Sequence, residues 1–159
     1  MLPFQILKEP KLIIFQFKII HNILPTQSSL FRAGIKDSDI CPLCNSESQS
    51  LSYMLFSCHH SSSFWNQFKH RWRKSSQEQI NLPESVILYG WHKKSNTWLV
   101  LNYTLIIAKY HIFTTNVSNG NLDFEGFLSR LKSELTILRT IAFTNNNLEQ
   151  FTETWAAVL

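Results

Sequence analysis

The chain has 159 residues, of which 44% are hydrophobic and 13% aromatic, with only 4 glycines and 5 prolines. This composition excludes global disorder and disfavours a turn-rich all-β fold, because the chain can bury a substantial core. The formal net charge of +4 is a modest basic balance, which permits nucleic acid as a partner without requiring it.

The charge is unevenly distributed along the chain. Residues 1–36 and residues 69–94 each carry a net charge of +4, whereas residues 37–68 between them carry −3. Residues 95–159 carry −1. The basic character therefore lies in two blocks on either side of a short acidic segment.

Helical periodicity predicts seven or so helices and no strand of useful length. The predicted elements, in chain order, are helices over 8–24, 26–33, 46–57, 61–74, 83–89, 95–114 and 123–143, with a terminal helical turn within 148–158. Pro25 ends the first helix, Thr26 caps the second, and Gly34 follows it where a C-terminal glycine belongs. The third begins at Ser46-Glu-Ser-Gln49, which has the form of a capping box.

The predicted fold class is all-α. We expect a small irregular helical domain over 8–74 with a Cys-x-x-Cys zinc-knuckle-like insertion, and a C-terminal helical region over 82–158 packed against it. The two long helices of the second region predict an antiparallel pair. The most apolar run, 98–108, is too short for a membrane span, so we expect no membrane association.

All three cysteines lie within 18 residues, as Cys41, Cys44 and Cys58. A Cys-x-x-Cys turn points two thiolates at one place, as a tetrahedral metal site requires. Their odd number and the lack of a visible signal peptide disfavour a disulfide scaffold and predict an intracellular location, cytoplasmic or nuclear. Two alternatives remain, a Cys-x-x-Cys redox pair without its usual strand–helix context and three buried core thiols.

A basic and aromatic run closes the helix over 61–74. Its cations could bind phosphates while its tryptophan stacks on a base, and two further lysines follow in the same basic block. The candidate nucleic-acid-binding residues are Lys69, Arg71, Trp72, Arg73, Lys74, Lys93 and Lys94. The alternative is a solvated helix end, where basic residues interact favourably with the helix dipole.

No catalytic constellation is recognisable in the sequence. It has no paired-aspartate polymerase motif, no glycine-rich phosphate loop and no Ser-His-Asp arrangement. We therefore expect that the chain is not an enzyme.

Five blocks in order between residues 12 and 66 resemble the reverse-transcriptase zinc-binding region, which lies downstream of the polymerase in LINE-type (non-LTR) retrotransposon proteins. The blocks are His21-Asn-Ile-Leu-Pro-Thr26, Leu30-Phe-Arg-Ala-Gly-Ile35, Cys41-Pro-Leu-Cys44, Leu55-Phe56-x-Cys58 and Phe64-Trp65. Tyr89-Gly-Trp91 and the helices around 102–112 and 138–142 also resemble the C-terminal part of such proteins.

The resemblance implies a Zn²⁺ site. The family pattern is Cys-Cys-His-Cys, and Cys41, Cys44 and Cys58 match its three cysteines, whereas Tyr53 occupies the histidine position. We expect His60, or its neighbour His59, to supply the fourth ligand and Tyr53 to pack beside it.

The resemblance further implies a non-catalytic module that binds RNA or DNA, with a reverse-transcriptase polymerase region as a further partner in the parent protein. The alternative is a structural or protein-interaction domain, the relic of a decayed element, that binds neither metal nor nucleic acid. Salt-dependent binding to single-stranded RNA separates the two hypotheses.

Overall fold

The computed structural model describes residues 9–91 and 97–156, which form seven α-helices and one π-helical turn. The elements are α1 (Pro10–Ile20), α2 (Gln27–Arg32), the π-turn (Tyr53–Ser57), α3 (His59–Ser76), α4 (Glu84–Tyr89), α5 (Trp98–Val117), α6 (Phe124–Thr144) and α7 (Leu148–Trp155). Within the described ranges, the only β-structure is an isolated bridge between Ile40 and Ser48. The all-α prediction is confirmed.

Helix α5 lies at the centre of the molecule. It packs against α1, the π-turn and α6, and side chains on all of its faces are buried. The predicted stripe accounts for Leu101, Leu105, Ala108 and Ile112, yet the polar side chains between them are buried as well. A helix surrounded in this way needs an internal partner for each of its buried polar groups.

One hydrophobic cluster connects the two predicted regions. Aromatic rings of α3, including Phe64 and Phe68, contact Phe127 of α6 at centroid distances of 5.3 and 5.9 Å. Leu12 and Phe15 of α1 belong to the same cluster. The division at residues 74–82 and the antiparallel orientation of α5 and α6 both stay predictions.

Local interactions set the end of α1 and the start of α2. Helix α1 stops at Ile20 and not at Leu24, because Asn22 adopts a left-handed conformation (φ 53°) and the Ile23 N–H bonds to the Lys18 carbonyl at 2.9 Å. Thr26 caps α2 as predicted, in a capping box with Ser29.

The predicted helix over 46–57 is wrong in its first half. Residues 46–50 are not helical, because the Cys41 N–H bonds to the Glu47 carbonyl and the Gln49 N–H bonds to the Asp39 carbonyl, each at 2.8 Å. The chain doubles back around the Cys-x-x-Cys turn and becomes helical only at Leu51. Cross-chain hydrogen bonds thus take the place of the predicted capping box.

Within 9–91 and 97–156, each helix is too short or too polar to cross a lipid bilayer.

Candidate metal centre

The two ends of the cysteine segment are brought together by a turn and a helix start. Cys41 and Cys44 lie in a tight turn closed by the bond from the Asn45 N–H to the Cys41 carbonyl at 2.9 Å. Asn45 has a positive φ of 53°, which asparagine tolerates better than most residues. Cys58 is the N-terminal capping residue of α3.

Side chains of α3 hold the π-turn that precedes Cys58. The Ser61 hydroxyl donates to the Met54 carbonyl at 2.6 Å, and the Trp65 indole N–H donates to the Leu55 carbonyl at 2.7 Å. These two bonds satisfy carbonyls at the end of the π-turn and fix where Cys58 enters the helix.

The three sulfurs form a compact cluster. They lie within 4.8 Å of one another, and those of Cys41 and Cys58 are 4.0 Å apart. A tetrahedral zinc with Zn–S bonds of about 2.3 Å would hold its sulfurs about 3.8 Å apart, so only a small contraction is needed. Cys41 and Cys58 are fully buried and Cys44 is half-buried. The donor set therefore fits three of the four ligands of a zinc site.

Backbone N–H groups donate to the sulfurs of Cys44 and Cys58. Burial raises the pKa of Cys44, but hydrogen bonds from the Tyr53 hydroxyl and the backbone N–H groups of Ser46 and Glu47 outweigh burial and bring that pKa to about 7. Burial raises the pKa of Cys58 to about 11, against bonds from the first N–H groups of α3. Cys44 and Cys58 thus each accept backbone hydrogen bonds that favour the thiolate, the form that binds metal, and at Cys44 these bonds prevail over burial.

Tyr53 stands next to the cluster. Its hydroxyl oxygen lies 3.3 Å from the Cys44 sulfur, and this hydrogen bond is the main reason that the pKa of Tyr53 is raised. The prediction that Tyr53 packs beside the site agrees with this contact. A phenol held in its protonated form is a poor metal ligand compared with imidazole.

The structure brings neither predicted histidine into the cluster. The group of ligand atoms within 4.8 Å of one another contains the three cysteines and no histidine among the described residues. His59 and His60 instead lie in the first turn of α3, with their rings 4.1 Å apart. The expectation that His60 or His59 completes the tetrahedron stays a prediction, and neither side chain belongs to the group of close ligand atoms.

The comparison with known families bears on this geometry. Residues 4–65 match the model of the family described as zinc-binding in reverse transcriptase. The matched segment holds all three cysteines, so the resemblance to a reverse-transcriptase zinc-binding region is confirmed for residues 4–65, and its placement in a LINE-type protein stays a prediction. No curated protein and no solved structure matches the chain.

Gln49 is a residue of the matched segment that the sequence reasoning missed as part of the site. Its buried side-chain amide donates to the Cys41 sulfur at 3.4 Å and to the Asn116 side-chain oxygen at 2.7 Å, and its oxygen accepts from the Gln27 N–H at 3.1 Å. Gln49 therefore connects the cysteine turn to α2 and to the central helix. The signal in the sequence was its place between Cys44 and Cys58, four residues before Tyr53.

The candidate nucleic-acid-binding residues differ in their exposure to solvent. Arg71, Arg73 and Lys74 are exposed on α3, and Lys69 is half-buried. Trp72 is 4% exposed and stacks on Phe68 at 6.3 Å, so the prediction that it stacks on a base is wrong for this conformation. The predictions for Lys93 and Lys94 fall outside the described residues.

Proposed function

We propose that this chain is a non-catalytic nucleic-acid-binding module whose Cys41, Cys44 and Cys58 hold Zn²⁺. The observation that carries the proposal is the convergence of the three thiols, within 4.8 Å of one another, inside the segment that matches the family of zinc-binding regions in reverse transcriptase. The sequence contains no paired-aspartate polymerase motif, which supports a binding role over a catalytic one.

The role of the metal in this proposal is structural. Zinc supplies a cross-link of high affinity between groups that the bare chain holds only by weak interactions. Here the cross-link joins the Cys41–Cys44 turn to the first turn of α3 through Cys58. The site therefore orients α3, whose second half carries the exposed cations.

The nucleic-acid part of the proposal is supported by charge. Residues 69–94 carry a net charge of +4, and three of the cations on α3 are exposed. Such side chains bind phosphates largely without regard to sequence. We place the module in a LINE-type reverse transcriptase, downstream of the polymerase region, inside the cell where thiols stay reduced.

Two measurements on the purified chain test the function. Zinc content per chain is expected to be about one for the parent and to fall in Cys44→Ser, because two thiolates do not make a structural site. Binding of the zinc-loaded chain to single-stranded RNA is expected to weaken linearly in log affinity with log salt. A zinc-free parent, or RNA binding that is insensitive to salt, would contradict the proposal.

A second candidate function is a structural or protein-interaction domain that has lost its metal. The observation that favours it is the Tyr53 hydroxyl, which stands 3.3 Å from Cys44 where the family pattern has a histidine. The variant Tyr53→His separates the two. If it binds zinc and the parent does not, the site has decayed and the second candidate is the better one.

A further inference from the structure

A groove is lined by residues of α3, α6 and α7. It has a volume of about 410 Å³. Its floor is apolar and its rim is basic: the floor consists of Leu128, Leu131, Leu135 and Phe151, and the cations of the rim are Arg71, Lys132 and Arg139. We call it the α3–α6 groove.

The three rim cations lack an acidic neighbour among the described residues that line the groove. None of the residues that line the groove is acidic, and in the described part of the chain Arg71, Lys132 and Arg139 form no ion pair. All three are exposed. Their positive potential is therefore free to act on a ligand in the groove.

Helical spacing orders these cations along the groove. Lys132 and Arg139 are seven residues apart on α6, so they lie on one face of the helix, separated by about 10 Å along its axis. Arg71 stands opposite them on α3. A row of cations above an apolar floor is the arrangement with which proteins bind the backbone of a single strand and its bases.

The same spacing divides the predicted basic segment between two faces of α3. Arg71 and Lys74, three residues apart, share one side of the helix, whereas Lys69 and Arg73, four apart, share another. Only Arg71 of this segment lines the groove. Variants of Lys69 and Arg73 therefore provide a comparison of equal charge for variants of the groove cations.

A second cavity shares three lining residues with the groove and is lined by a tryptophan whose N–H has no partner among the described residues. It has a volume of about 40 Å³, the shared residues are Arg71, Leu128 and Leu131, and the tryptophan is Trp72. The buried indole N–H of Trp72 has no hydrogen-bond partner among the described residues. A buried donor without a partner is unfavourable, so an acceptor atom that reaches this N–H would be stabilising.

We propose that the α3–α6 groove is the path of a single-stranded nucleic acid, with its phosphates bound by Arg71, Lys132 and Arg139. The inference rests on the proposed function and assigns to it a surface that includes α6, far from the cysteine segment in sequence. An acidic peptide is the competing occupant, and the experiment distinguishes it.

The experiment compares two double variants of the zinc-loaded chain in binding to a fluorescent oligouridylate. Lys132→Ala with Arg139→Ala removes two groove cations, and Lys69→Ala with Arg73→Ala removes two cations from the other face of α3. Both pairs lower the net charge by two, and circular dichroism and thermal unfolding check that each variant keeps the fold.

The groove pair is expected to lose roughly 20-fold in affinity at 0.1 M salt and to flatten the salt slope by about 1.4, since each single-strand phosphate contact contributes about 0.7 to that slope. The Lys69/Arg73 pair, which leaves all three groove cations in place, is expected to lose clearly less, about 3-fold, because its cations act on the strand only from outside the groove. Oligouridylate is expected to compete much better than polyglutamate of equal charge, because the floor contacts bases.

Each other result overturns the inference. Equal losses in both pairs would mean that only net charge matters, and a larger loss in the Lys69/Arg73 pair would place the strand on the opposite face, leaving the proposed function intact. Polyglutamate that competes equally well would assign the groove to an acidic peptide. A parent that binds no RNA would overturn the proposed function together with the groove.

Discussion

The cysteine segment and the central helix are stabilised in different ways. Residues 37–58 contain a tight turn, an isolated β-bridge and a π-turn, and they are connected by cross-chain backbone bonds and by Gln49. Helix α5 is surrounded by apolar side chains, and its buried Lys109 bonds to the Gln16 side-chain oxygen and the Leu88 carbonyl.

The difference shows where a metal would add most to stability. Hydrophobic burial stabilises by about 25 cal/mol per Å² of apolar surface, and α5 has such surface on every side. The loop from Asp37 to Ser50 is largely exposed and has little to bury apart from Cys41 and Gln49. A metal held by three thiolates would stabilise the region that the hydrophobic core does not reach.

The largest expected effect tests the central helix through its buried lysine. Burial lowers the pKa of Lys109 from 10.5 to about 7. Between pH 7 and pH 10.5 the unfolded chain therefore binds more protons than the folded chain. The free energy of unfolding should thus increase as the pH rises through this range. The expected gain is roughly 3 kcal/mol between pH 7.0 and 9.5.

Denaturant unfolding at several pH values, with a chelator and a reductant present, measures this gain. The control is Lys109→Met combined with Gln16→Leu, which removes the amine and its acceptor together and leaves the cysteines and tyrosines to titrate as before. The parent should gain about 3 kcal/mol more than the control across the window. If the free energy of unfolding changed equally with pH in the two proteins, Lys109 would be in contact with solvent.

The second effect separates the two regions directly. At a free zinc concentration 100 times Kd, bound metal should stabilise the site by about 2.7 kcal/mol. Amide hydrogen exchange is expected to quicken in residues 41–58 when a chelator is added, while amides of α5 keep their protection. If α5 loses protection equally, the two regions unfold as one unit and the comparison fails.

The third effect concerns the connection between the regions. Gln49→Ala leaves the Asn116 side-chain oxygen and the Gln27 N–H without this partner, which should cost about 2 kcal/mol. Because Gln49 also orients Cys41, zinc affinity should fall about 10- to 100-fold. Gln67→Ala, on the exposed side of α3, is the control and should change neither quantity.

The smallest effects come from the helix caps in each region. Thr26→Ala removes the capping box of α2, and Asp123→Ala removes the bond to the Gly126 N–H at the start of α6. Each should cost about 1 kcal/mol in the free energy of unfolding. Only Thr26→Ala is expected to weaken zinc binding as well, because α2 supports Gln49. A matching loss in Asp123→Ala would show that the site depends on the whole fold.

Most of the helices could be predicted because their signals are local. The apolar spacing of Phe64, Trp65 and Phe68 marked the buried face of α3, and Asp123 marked the start of α6. The prediction failed at Ser46–Gln49, where a capping-box sequence lies in a loop. There the bonds to Cys41 and Asp39 from across the turn prevail over a weak local preference.

The sequence by itself determined the all-α fold and the three thiols of the candidate site, because periodicity, capping and a Cys-x-x-Cys turn act over a few residues. The tertiary structure alone decided that Tyr53 and Gln49, and neither histidine, stand at the sulfurs. It also buried Trp72 and Lys109 and placed Arg71 opposite Lys132 and Arg139. The burial of Lys109 and the placing of Arg71 depend on contacts between segments many tens of residues apart. Tyr53 and Gln49 reach the sulfurs over only nine and eight residues, but through a turn that cross-chain hydrogen bonds shape. In both cases the direction of a side chain is set by packing, which no local pattern encodes.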